Sequence, residues 1–124
     1  MKRSLMQIYV KNSVEAMNFY QKALGAKVIA DYRFANGTIE HAELDIHGQI
    51  LSLSEFSPEF GDFAPGTTMQ FCLHFGKGNE NFVQQAYEAL SVDALKPGEL
   101  GKISFSPLFF ALTDKFGVNW CVFV

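Results

Sequence analysis

Nothing in this 124-residue chain approaches the roughly 20 consecutive apolar residues that cross a membrane. Its first residues, Met1-Lys2-Arg3-Ser4-Leu5, reach the polar Gln7 before an apolar signal core could form. A cytoplasmic protein with no membrane partner is therefore expected. Cysteine is scarce. Cys72 and Cys121 show no C-x-x-C spacing, which removes zinc-ribbon and thioredoxin readings, and both sit in apolar, strand-like runs where buried reduced thiols are expected. Charge is sparse too: 19% of residues are charged, the net charge is -3, and the 10 Lys and Arg never form a basic run. Without such a run to follow a phosphate backbone, nucleic acid is not expected as a partner. The chain also lacks the glycine-rich strand-to-helix loop of nucleotide and S-adenosylmethionine sites, and the G-x-S-x-G elbow of a serine nucleophile.

What the chain has instead is apolar surface, at 48% hydrophobic residues, with 13 Phe against 4 Tyr and 1 Trp. A chain of this length buries about two thirds of its unfolded surface, enough to fold without a metal, a disulfide or any cofactor. Leu5 to Val10 reads as a strand. Asn12 with Glu15 resembles a capping box, and Val14, Met17, Tyr20, Ala23 and Leu24 recur at helical spacing until Gly25, predicting a helix over 13–24. Asn36-Gly37 and His47-Gly48 then separate three alternating segments, Lys27 to Phe34, Thr38 to Ile46 and Gln49 to Phe56, which predicts an antiparallel meander.

After a turn-rich stretch the pattern restarts. Met69 to Phe75 reads as a strand. A helix capped by Asn79 follows, with Phe82, Val83, Ala86, Tyr87 and Leu90 as its apolar stripe. Three more strands come next, near Ile103 to Phe105, from Leu108 to Thr113, and from Val118 onward. Each half thus reads strand, helix, strand, strand, strand. The expected fold is α+β: one domain over 1–124 built from two βαβββ modules in tandem, the first over 1–56, a connector over 57–68 and the second over 69–124. Their mixed sheets are expected to form a concave cavity suited to a small ligand.

Three motifs carry a family resemblance. Asn12 to Gly25 contains Phe19-Tyr20 and Leu24-Gly25 in an F-Y-x-x-x-L-G pattern; His41-Ala42-Glu43-Leu44 lies on the third predicted strand; Asp114-Lys115-Phe116-Gly117-Val118-Asn119-Trp120 gives D-x-F-G-x-x-W. Together, and in this order, they resemble the vicinal oxygen chelate superfamily of glyoxalases, bleomycin-resistance proteins and dioxygenases, in its PhnB-like branch. The resemblance implies a glyoxalase-like fold and a homodimer. Carried over strand by strand, its metal positions fall on Leu5, Ser52 (or Ser54), Gln70 and Cys121, a set without the usual His and Glu, so no classical metal centre is expected.

His41, Glu43, Asp45 and His47 share one face of a strand at spacing two, too far apart along it to hold one ion together. Ala42, Leu44 and Ile46 are assigned to the core, leaving the odd-numbered row for water or a wet cavity. His41 is the candidate general base. The same alternation sends Met6, Ile8 and Val10 to the core and Gln7 and Tyr9 to the opposite face. On the fifth strand it sends Met69, Phe71, Leu73 and Phe75 under the helices and Gln70 and His74 to the cavity.

The expected ligand-binding set is Gln7, Tyr9, His41, Ser52, Gln70, His74 and Asn119, which suits a moderately polar small organic molecule. Two other functions fit the resemblance: a metal-dependent lyase or dioxygenase with a site displaced to His41, Glu43 and His74, and an antibiotic-sequestering protein with an acidic cleft. Phe60 and Phe63 in the connector are candidates for a lid or a dimer contact. Phe56, Phe109 and Phe116 are assigned with them to a cavity mouth or interface, and Phe19, Phe71, Phe75 and Phe82 to helix-sheet packing.

Overall fold

The structure is a computed structural model that describes residues 1–124. The chain divides into two compact units, Met1–Ala64 and Pro65–Val124. In the first, strand β1 (Met6–Val10) leads to helix α1 (Ser13–Leu24), then to β2 (Lys27–Arg33), β3 (Ile39–Ile46) and β4 (Gln49–Glu55), and ends in one turn of 3-10 helix over Pro58–Phe60. The sheet order is β1-β4-β3-β2, with β1 parallel to β4 and the other pairs antiparallel. The second unit repeats the plan with β5 (Phe71–His74), α2 (Glu80–Leu90), β6 (Gly101–Ile103), β7 (Ser106–Thr113) and β8 (Asn119–Phe123), in the order β5-β8-β7-β6. These are the two βαβββ modules of a glyoxalase-like fold. No helix is long and apolar enough to cross a membrane.

The predicted first helix has the observed bounds because backbone geometry closes both ends. Asn12 and Gly25 both adopt left-handed φ values, 60° and 59°. The capping box does not form: the Asn12 side chain makes no cap bond. The Glu55 carboxylate, from the end of β4, accepts instead from Asn12 N at 3.2 Å, Ser13 N at 3.0 Å and Ser13 Oγ at 2.8 Å. A carboxylate beside the first turn satisfies orphan N–H groups and favours the helix dipole. Nor does Asn79 cap α2; its amide donates to Phe75 O at 2.8 Å.

Each sheet buries one face against its own helix. In the first unit Ile8, Val10, Ala42, Leu44, Leu51 and Leu53 pack with Ala16, Met17, Tyr20 and Leu24 of α1. In the second, Leu73, Phe110, Leu112, Trp120 and Val122 pack with Val83, Ala86 and Leu90 of α2. Three burial assignments are corrected. Met69 is 75% exposed, because Asn119 Nδ2 donates to both Gly66 O and Met69 O and draws the chain aside before β5 begins. Cys72 is exposed, since it lies on the face of β5 opposite α2; Cys121 is buried as expected. Phe116 is buried rather than placed at a mouth, because Asp114 Oδ1 accepts its backbone N–H and folds the turn inward.

Candidate functional site

On the helix-free face of the first sheet, six side chains from four segments join end to end. Arg3 donates to both carboxylate oxygens of Glu43, at 2.7 and 3.0 Å. Glu43 Oε2 lies 2.9 Å from His41 Nε2, and His41 Nδ1 lies 3.3 Å from Ser52 Oγ. Ser52 donates to Gln7 Oε1 at 2.5 Å, and Gln7 Nε2 donates to Ser54 Oγ at 3.2 Å. Strand register builds this line: Glu43 pairs with Ser52 across β3 and β4, and Gln7 pairs with Ser52 across β4 and β1. Gln7, His41 and Ser52 of the expected set are thus brought into one network.

Glu43 departs from the expected solvated row. It is only 6% exposed. The Arg3 guanidinium, and after it His41, hold its carboxyl down at about 2 against an ordinary 4.5. A carboxylate depressed in this way adds stability above its ordinary value, and that stability is lost as pH falls through about 2. Arg3→Ala is accordingly expected to move the carboxyl midpoint of Glu43 from about 2 toward 4.5, followed by carbon-detected NMR titration. An unchanged midpoint would show that Arg3 does not hold this charge.

Tyr9 extends the face toward a cavity of about 470 Å³ lined by Tyr9, Phe34, Glu40, Ser54, Glu59 and Phe60, with no Lys, Arg or His in its wall. Tyr9 and Phe60 touch, with ring centroids 5.3 Å apart, and Phe60 is 68% exposed. Glu40 reaches this wall because β3 carries an extra residue: Tyr32 pairs with His41 but Arg33 pairs with Ile39. Strict alternation from Ala42 would send Glu40 to the core. The bulge puts Ile39 there instead, fully buried, with its N–H donating to Ser13 Oγ at 2.9 Å.

The remaining predicted residues lie in the second unit. Gln70 and Asn119 both line a cavity of about 510 Å³ with Lys96, Thr113 and Met69. Asn119 is committed to holding the chain, accepting from Thr113 Oγ1 at 2.6 Å while donating to Gly66 O and Met69 O. His74 stacks on Phe123 at 4.5 Å. The sequence reading missed Arg3 and Glu55, and named Ser54 only as an alternative metal position. Arg3 sits in a segment without periodicity, and Glu55 acts 42 residues from its partner Ser13.

Two chemistries can be tested against this geometry. Glu43, His41 and Ser52 follow an acid–base–hydroxyl order, but Ser52 is fully buried and its hydroxyl donates to Gln7, so no acyl group can reach it. The metal positions implied by the resemblance do not suit a divalent ion. Leu5 has no donor atom, Ser52 is held between Gln7 and His41, and burial followed by the Cys72 contact pushes the Cys121 thiol up to about 12.

The family model of the Glyoxalase/Bleomycin resistance protein/Dioxygenase superfamily matches residues 4–122. Among solved structures, protein PA1353 from Pseudomonas aeruginosa is similar at 21% identity and a TM-score of 0.84, covering 99% of this chain and 97% of that one. A PhnB protein from Bacillus cereus, described as a putative 3-demethylubiquinone-9 3-methyltransferase, is similar at 23% identity and a TM-score of 0.78, with 98% of each chain covered. A mutant of the fosfomycin resistance protein FosX from Listeria monocytogenes, complexed with Mn(II) and 1S,2S-dihydroxypropylphosphonic acid, is similar at 12% identity and a TM-score of 0.66, covering 98% of this chain and 87% of that one. At these identities the likeness is one of fold. No curated protein matches the sequence.

Proposed function

The chain belongs to the Glyoxalase/Bleomycin resistance protein/Dioxygenase superfamily, and from that premise we propose that it binds a small aromatic molecule carrying a polar or cationic group, without a metal at the superfamily positions. The observation that carries this reading is the first-unit cavity, walled by Tyr9, Phe34 and Phe60 and adjoining the hydrogen-bonded line from Ser54 to Arg3. Exposed aromatic rings offer flat apolar area and a negative π-face, and Glu40 and Glu59 add negative charge with no cation in the wall to offset it. The binding residues on this reading are Tyr9, Phe34, Glu40, Ser54 and Phe60, with Gln7, His41 and Ser52 fixing the floor beside them.

Binding is favoured over turnover because both ring nitrogens of His41 are engaged, one with Glu43 and one with Ser52. A general base must offer a lone pair to the substrate. Benzamidine and benzamide, nearly identical in shape and different in charge, probe the cavity. Calorimetric titration is expected to show benzamidine binding about tenfold more tightly, a ratio of the size that carboxylate and cation–π attraction supply. Glu40→Gln is expected to shrink the ratio, and Tyr9→Ala to weaken both probes. Equal affinities, or no binding of either probe, would sink the proposal.

A further inference from the structure

The helix-free face of the second sheet carries a pair of groups that the binding reading does not use. Cys72 on β5 and Cys121 on β8 are direct partners in the parallel ladder, with Phe71 opposite Trp120 on one side and Leu73 opposite Val122 on the other. Phe71, Leu73, Trp120 and Val122 turn toward α2, so alternation turns both cysteines to the other face. Registered neighbours on adjoining strands have Cα atoms about 4.8 Å apart, inside the span a disulfide bridges.

Their environments differ. Cys72 is exposed and its thiol faces the Gln70 amide oxygen at 4.0 Å, whereas Cys121 is buried beneath it. We propose that Cys72 and Cys121 are a reversible modification site, a cross-strand dithiol that a low-molecular-weight disulfide converts to an internal disulfide.

The chemistry is two thiol–disulfide exchanges. The Cys72 thiolate attacks one sulfur of the external disulfide, forming a mixed disulfide and releasing one small thiolate, which takes up a proton. Cys121 then loses its proton and attacks the Cys72 sulfur, closing the bond and releasing the second small thiol. Two protein thiols are oxidised and one external disulfide is reduced to two thiols. Closure must draw the two Cβ atoms in to about 4 Å, so the bond is strained and open to reduction by the same thiol pool.

The order of events follows from exposure. Cys72 is the entry point and Cys121 the resolving thiol. Because burial holds the Cys121 thiol above its ordinary value, ring closure is the slow step and quickens as pH rises from 7 to 10.

The test treats the reduced full-length protein with oxidised glutathione, alkylates the remaining thiols and measures intact mass and peptide linkage. The expected product has lost two hydrogens, links the Cys72 and Cys121 peptides, and returns to the dithiol with dithiothreitol. Cys121→Ser, or Cys121→Ala if serine disturbs the core, is expected to trap glutathione on Cys72. Cys72→Ser is expected to leave Cys121 unmodified. A wild-type protein that stops at the mixed disulfide at pH 10, or keeps both thiols free there, would overturn the proposal.

Discussion

Asp114→Ala is expected to destabilise the protein by about 4 kcal/mol, lowering Tm by more than about 10 °C for a domain of this size. Asp114 is fully buried, and three donors converge on its carboxylate. Its Oδ1 accepts from Phe116 N at 2.8 Å and from Val118 N at 3.1 Å, and its Oδ2 accepts from Trp120 Nε1 at 2.8 Å. Alanine removes every acceptor at once and leaves a buried indole N–H and two turn amides without their partner, each costing on the order of 1 to 3 kcal/mol. The spacing D-x-F-G-x-x-W is therefore a structural device: it closes the β7–β8 turn and pins the largest core side chain of the unit to it. Trp120→Phe removes the indole donor and part of the buried ring volume but leaves both turn amides their acceptor. It should cost less than Asp114→Ala. Equal losses for the two variants in thermal denaturation would show that the turn amides contribute nothing.

Gly98→Ala is expected to cost about 3 kcal/mol for a different reason, steric rather than polar. A Cβ built on Gly98 falls 1.8 Å from Ala111 O and 2.9 Å from Ala111 C, both backbone atoms of the central strand β7. Backbone in a ladder cannot swing aside as a side-chain tip can, so the segment around Lys96 must lift. That segment is tied to the sheet by reciprocal bonds, Lys96 N to Thr113 O at 3.1 Å and Thr113 N to Lys96 O at 2.9 Å. It is also tied to α2 by Tyr87 Oη, which donates to Gly98 O at 3.0 Å. Lifting it strains all three. Gly37→Ala, where nothing lies within 4 Å, controls for loss of glycine alone and isolates the cost of its φ of 87°. Chemical denaturation that ranked Gly98→Ala below Gly37→Ala would contradict the steric account.

The fold was legible where local chemistry decides structure. Residues with positive φ, Gly25 after α1 and His47-Gly48 between β3 and β4, stand where the sequence marks stops and hairpins. Period-two alternation put Ile8, Val10, Leu44 and Ile46 in the core correctly. Legibility failed where a distant partner decides. The true cap of α1 is Glu55, brought back by β4 running parallel to β1; a local Asn12–Glu15 pair could not announce it. The bulge at Glu40 breaks the alternation without any Gly or Pro to signal it, so Glu40 was not read as a wall of the cavity.

Arg3 was hidden for the same reason. Its partner Glu43 is 40 residues away, and only the strand order places the two together. The phenylalanines divide in the structure by burial: Phe110 and Phe116 are core, whereas Phe34, Phe60 and Phe105 are exposed. Of these exposed rings, Phe34 and Phe60 face the first-unit cavity.

The central claim is that this cavity is where a small aromatic molecule binds. Backbone amide NMR of the uniformly nitrogen-labelled protein, titrated with benzamidine, tests it most directly. The account predicts shift changes that saturate together and concentrate on Tyr9, Phe34, Glu40, Ser54 and Phe60, with smaller changes along Gln7, Ser52 and His41. Saturable changes confined to the second unit around Gln70, Thr113 and Asn119, or changes that never saturate, would contradict it.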